Sequence, residues 1–270
     1  ILPRLRHKES SRDYYRTEIL NFKEDLEKLS GQSVSEEAVR AQIKLYNKVR
    51  AALYNISTLR KRNNPPLKGE DLLDLVKAYY YLPPEELLVL YEQIYEKLAA
   101  VPDEGPKPIR LMMAGGVVAD GDRRLLKLIE DEVGARVVIE DHCTGARNVS
   151  FQLNETGDPY QALAEGYLDQ SPCTRMKPLQ ERVDISGQLA RDYRVDGILY
   201  VYLKFCPCYG QIKHEFFKHY QKLGIPVLEV PVDYSASDQG QLKTRLEAFI
   251  EVLREREDSV DEHRGSSKSA

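Results

Sequence analysis

Cysteine is scarce: only Cys143, Cys173, Cys206 and Cys208 occur in 270 residues. That is too few for the disulfide scaffold by which small secreted domains replace a large core. No apolar run is long enough to cross a bilayer, and no export signal opens the chain, so neither a membrane span nor a membrane partner is expected. Positive charge is not in excess either. The net charge is −4, which removes the broad electrostatic case for a nucleic-acid partner. There is no internal repeat and no low-complexity segment before the tail. These absences together point to a cytoplasmic protein whose thiols are free or bind metal. The chain opens on Ile1 rather than Met, as expected of a processed or cut start.

What is present divides into two parts. Hydrophobic residues make up 42% and charged residues 30%, the balance of an ordinary globular chain. Up to residue 100 the apolar positions recur at threes and fours: Tyr15, Ile19, Phe22, Leu26 and Leu29, then Val39, Ile43, Tyr46, Val49, Leu53 and Ile56. This is helix periodicity. Pro65-Pro66 and Pro83-Pro84 bound the shorter helices that follow. From Ile109 the pattern changes to short apolar runs alternating with amphipathic stretches. The runs are Arg110–Met113, Val137–Ile139, Ile198–Leu203 and Val227–Val230. Strand, helix, strand with tight joins is the parallel βαβ signature. The expected fold is α/β: a helical N-terminal segment followed by a four-stranded, mainly parallel, flavodoxin- or Rossmann-like sheet with helices on both faces. The expected divisions are 1–100 for linker or dimerisation helices, 101–254 for the α/β domain, and 255–270 for a charged, Ser-rich, disordered tail.

In such sheets ligands bind beyond the carboxyl ends of the strands. The turns there carry Gly115-Gly116, Cys143, Cys206 with Cys208, and Asp233-Tyr234, while Cys173 lies in the long connection between the second and third strands. All four thiols therefore fall in loops or at a helix start. Gly115 and Gly116 could bring backbone close to a phosphate, although they lack the remaining glycines of a dinucleotide fingerprint. Arg147 and Arg175 sit near the cysteines in sequence and could hold the anionic part of an acyl-CoA. The residues alone leave four possibilities open. They are ordinary loop thiols, a tetrahedral zinc site to which His142 could add a ligand, redox-active thiols, and an iron–sulfur cluster. Spacings of 30 and 33 residues between successive cysteines match no compact cluster signature.

The blocks DHCTGAR (141–147), SPCTRM (171–176), DGILYVYLKFC (196–206), LGIPVLEVPVDY (223–234) and GQLKTRLEAFIEVL (240–253) narrow the choice. In combination they resemble the superfamily of 2-hydroxyacyl-CoA dehydratase component D, benzoyl-CoA reductase and double-cubane cluster proteins. The helical stretch at 26–53 and PPLKGED at 65–71 are similar to the middle region of that superfamily. The resemblance implies an oxygen-sensitive, cytoplasmic lyase or oxidoreductase component of anaerobic metabolism, with a 4Fe–4S or double-cubane 8Fe–9S cluster. It implies an ATP-dependent iron–sulfur activator as electron donor, a homodimer or a heterodimer with a related subunit, and an acyl-CoA or small-molecule substrate. It makes Cys206 the foremost ligand, Cys143 and Cys173 the next, and Cys208 an additional thiol. Members generally carry a further α/β domain ahead of the helices that supplies some cluster cysteines. No counterpart occurs in these 270 residues, so a fragment or a second chain completing the site is expected. The alternatives are a non-catalytic electron-transfer or assembly subunit and a zinc-binding α/β module.

Overall fold

The computed structural model describes residues 2–116, 123–145, 147, 149–170, 172–233 and 239–266. Ala146, Ser171, Tyr234 and tail residues 267–270 lie outside the described residues. Four helices come first: α1 (Glu9–Ser30), α2 (Glu36–Thr58), α3 (Gly69–Ala78) and α4 (Pro84–Ala99). Their ends follow local chemistry. Gly31, at φ 70°, closes α1 in a left-handed turn. Ser35 opens α2 by accepting from the Ala38 N–H at 3.2 Å. A 3₁₀ turn, Leu59–Lys61, ends the α2 segment before Pro65-Pro66.

The α/β part contains β1 (Arg110–Gly115), α5 (Arg124–Lys127, extended by a π turn to Glu132), β2 (Arg136–Asp141), α6 (Pro159–Asp169) and α7 (Leu179–Asp192). It continues through β3 (Gly197–Leu203), α8 (Pro207–Lys222), β4 (Val227–Val232) and α9 (Gln239–Ser266). The sheet is parallel in the order β2-β1-β3-β4. β1 is central and buried along its whole length, which is why it reads as a continuous apolar run. Alternation along the strands sends Leu111, Met113, Leu199 and Val201 toward Leu246, Ile250 and Leu253 of α9. Met112, Ala114, Ile198 and Tyr200 face Val183, Phe216 and Tyr220 of α7 and α8.

The helical segment packs on the sheet. Leu53, Ile56, Leu72, Leu87 and Tyr91 form its core, and Val149 from the segment after β2 joins them. The Glu130 carboxylate accepts from the Gly69 N–H at 3.0 Å and the Val137 N–H at 3.2 Å, tying the start of α3 to β2. α9 is helical from Gln239 through Ser266. No glycine or proline interrupts it between Gln241 and Arg264. The apolar stripe on α1 is only half covered. Tyr15 and Ile19 are half-buried, whereas Phe22 is 64% and Leu29 86% exposed.

Two ion pairs cross the layers at the end of β2. The Arg60 guanidinium grips Glu140 with both ends, Nη1 to Oε1 at 2.5 Å and Nη2 to Oε2 at 2.8 Å, and neither side chain touches solvent. On the opposite face, Arg182 Nη1 donates to Asp141 Oδ2 at 2.6 Å and Nη2 to the Asp141 carbonyl at 3.0 Å. Ser186 also donates to Oδ2. Removing one member of such a pair strands a buried charge. Glu140→Ala should therefore lower the unfolding free energy by about 3–5 kcal/mol. The double variant Arg60→Met/Glu140→Met should recover most of that loss, as read by denaturant melts.

Candidate functional site

Parallel strands deliver their carboxyl ends to one edge, and the cysteines lie there. Cys143 follows β2 by two residues. The chain then doubles back: the Gly145 N–H donates to the His142 carbonyl at 3.1 Å. A Cβ at Gly145 would come within 2.6 Å of the Glu140 Cβ, so this turn needs glycine. Beyond it, Asn47 of α2 clamps both backbone groups of Leu153, at 2.8 and 2.9 Å. Arg50 donates to the Phe151 carbonyl at 3.2 Å. The helical segment thus fixes the exit of the Cys143 turn.

Cys206 caps α8, and Cys208 lies in that helix's first turn. The Cys206 N–H donates to the Leu203 carbonyl at 3.0 Å, and the Gly210 N–H to the Cys206 carbonyl at 3.0 Å. The turn between β3 and α8 forces Phe205 to φ 65° and leaves its ring 99% exposed. Cys173 precedes α7 in the connection from α6. None of the four cysteines is in a disulfide, and all are partly buried.

Charge links them. Arg147, itself buried, donates from Nη1 to Cys143 Sγ at 3.5 Å. Arg175, exposed, donates from Nε to Cys208 Sγ at 3.1 Å. Arg175 is held above its ordinary pKa, first by that hydrogen bond, then by the charge of Cys208, with Cys173 and Cys206 contributing further. Tyr209 is also raised, by burial first, with Cys143 and then Cys173 adding to it. Three thiols therefore act on Arg175, and two act on Tyr209, with Cys173 common to both.

Both predicted arginines face sulfur in this structure. Gly115 and Gly116 both lie against β3. Gly115 sits at φ 112°, and a Cβ there would lie 2.2 Å from the Val201 carbonyl. The Gly116 N–H, the donor a phosphate would require, is given to that same carbonyl at 2.6 Å. The close approach of β3 thus accounts for Gly115, whereas a Cβ at Gly116 would meet only ordinary contacts at 3.4 Å and beyond. His142, one residue past β2, is fully buried. Its Nδ1 pairs with Thr144 Oγ1 at 2.9 Å. Burial pushes its pKa down to about 4, with Glu140 and Asp141 opposing the shift, so the ring is neutral near pH 7. Tyr209, with a hydroxyl that has no partner among the described residues, was not visible in the sequence as a site residue. Its only signal there is its place directly after Cys208.

Thiolates are the residue type that ligates zinc and iron. Four thiols share a rim, guanidinium donors reach two of them, and an unmatched hydroxyl is buried in the field of two. Among the described residues, no three His, Cys, Asp or Glu side chains are grouped tightly enough for one metal ion.

Fold and rim together define a parallel α/β protein with a cysteine-lined carboxyl edge, braced by a helical segment. The chain belongs to the family described as 2-hydroxyglutaryl-CoA dehydratase, D-component, whose profile matches residues 1–253. It is 33% identical over 258 residues to YjiM of Escherichia coli (strain K12), which carries the name of a dehydratase subunit; the match covers 93% of this chain and 67% of that relative. It is 24% identical over 258 residues to the (R)-phenyllactyl-CoA dehydratase beta subunit of Clostridium sporogenes, covering 93% and 67%. Identity to one of the benzoyl-CoA reductase subunits of Thauera aromatica is 27% over 197 residues, covering 72% and 51%. No helix among the described residues is long and apolar enough to cross a membrane.

The buried imidazole makes stability depend on pH. Its folded pKa lies below its unfolded value, so the unfolded chain binds the extra proton first. Its contribution is complete above pH ~6.5 and is lost as pH falls toward about 4. Denaturant melts of the metal-free protein should show stability falling between pH ~6.5 and ~4.5, with a shallower fall in His142→Gln.

Proposed function

We propose that this chain is the iron–sulfur component of a 2-hydroxyacyl-CoA dehydratase or of a related acyl-CoA reductase. The observation that carries this reading is the shared rim, where Arg175 lies in the field of Cys173, Cys206 and Cys208. Cys143, Cys173 and Cys206 would hold the cluster, 4Fe–4S or double-cubane, with Cys208 as an adjacent thiol. Bound there, the cluster would supply low-potential electrons and Lewis acidity toward the substrate. The chain's own residues do the remaining work. Arg147 and Arg175 place positive charge against sulfur, and Arg175, being exposed, can also meet an anionic acyl-CoA. His142 stays neutral and adds no charge of its own. The packed helical segment keeps the Cys143 turn in place.

The partners follow from the same reading. They are an ATP-dependent iron–sulfur activator as electron source, and a second subunit, either a copy of this chain or a related one. Relatives that are themselves named as subunits of dehydratases and of a reductase support the second subunit. Four cysteines outside any disulfide suit a reducing cytoplasm. A second reading makes the chain a non-catalytic electron-transfer or assembly subunit. It is favoured by the absence, among the described residues, of a closed ligand group. Protein expressed anaerobically from its complete gene should be brown and contain iron and acid-labile sulfide in near-equal amounts. Cys206→Ala should lose most of both. A colourless protein, or one holding zinc and no iron, would contradict the reading. Stable binding to a sister subunit without turnover would select the second.

A further inference from the structure

The loop between α6 and α7 carries Cys173 and Arg175, and one distant side chain ties its two ends together. Arg6 lies ahead of α1 and is 7% exposed. Its Nη1 donates to the Leu168 carbonyl at 3.0 Å and to the Gln170 carbonyl at 3.4 Å, where α6 ends. Its Nη2 donates to Glu181 Oε2 in the first turn of α7. The last carbonyls of a helix have no partner within it, and a carboxylate suits a helix start. A guanidinium can serve both ends at once, because its N–H groups fan out in a fixed plane. Arg4 holds the stretch between them. Its carbonyl accepts from the Lys177 N–H at 3.0 Å, and its Nε donates to the Arg175 carbonyl at 3.2 Å. His7 Nε2 meets Glu181 Oε1 at 2.7 Å. The side-chain contacts of Arg4 and His7 are exposed, where such bonds contribute little. Those of Arg6 are buried or partly buried and weigh most.

We infer that residues 4–7 form a strap that sets the position of the Cys173 loop, with Arg6 as its positioning residue. Its bearing on function rests on the reading above, in which Cys173 is a ligand. The strap itself is a property of the metal-free chain. Holding both ends of a loop removes most of the conformations it could otherwise take. Cys173 is half-buried between buried Pro172 and Thr174, and the Met176 N–H closes a turn on the Cys173 carbonyl at 2.9 Å. Without Arg6, two carbonyls at the end of α6 and the Glu181 carboxylate each lose a donor. The loop then opens more often, and Cys173 meets solvent.

Arg6→Met keeps an apolar stem and removes the donors. In the reduced, metal-free protein, N-ethylmaleimide should label Cys173 about tenfold faster in this variant, the factor that goes with loss of a charge-assisted hydrogen bond. Mass spectrometry of the peptides reads each thiol separately. Cys143 and Cys206 should label at the unsubstituted rate. Trypsin should also cut faster after Arg175. Arg6→Lys should recover only part of the protection, because an ammonium lacks the planar fork. Arg12→Met breaks the exposed pair with Asp169 of α6 and should change neither rate. Glu181→Gln leaves the carbonyl bonds in place and should give a smaller rise, again confined to Cys173; it carries the test if Arg6→Met does not fold. An unchanged Cys173 rate in either folded variant would overturn the inference. So would an equal rise at Cys143 and Cys206, which marks general loosening. No metal is present in these measurements. Failed iron uptake by the unsubstituted protein would overturn the proposed function and leave the strap standing.

Discussion

The end of β2 is where the structure is most constrained. Successive residues of a strand point to opposite faces, so Glu140 and Asp141 send their carboxylates into different layers. Arg60 meets one from the helical segment and Arg182 meets the other from α7. Both pairs are buried, so neither carboxylate is stable without its arginine. The strand is thereby gripped from both sides immediately before His142 and Cys143. A free strand end would let that turn move, whereas here Cys143 is presented from a fixed point.

The same constraint joins the two parts of the chain. Arg60 belongs to the turn that ends the α2 segment, and Asn47 and Arg50 of α2 hold the backbone at Leu153 and Phe151. On the rim the sulfurs fall into two settings. Cys143 lies beside buried Arg147, while Cys208 bonds an exposed arginine. Cys173 acts on Arg175 and on Tyr209.

Much of this was legible in the sequence. The four strands, their common direction and the loop positions of the thiols follow from periodicity, because continuous apolar runs and proline or glycine stops are local signals. The motif blocks pointed to the family. The sequence could not show why Gly115 is glycine, since the cause is the Val201 carbonyl of a strand 86 residues away. It could not show that His142 is buried, because DHCTGAR is polar and only the layers above and below seal it. Nor could it show the fate of α1, whose stripe is periodic but packs mainly on α6 and leaves Phe22 and Leu29 uncovered. Tyr209 reads as one aromatic among many until its hydroxyl is found without a partner.

The central claim is that distant thiols converge to hold several irons. Iron K-edge X-ray absorption on anaerobically prepared protein tests it most directly. The account predicts a first shell of sulfur and a second shell of iron around each absorber. A first shell of oxygen or nitrogen with no iron–iron scattering would contradict it.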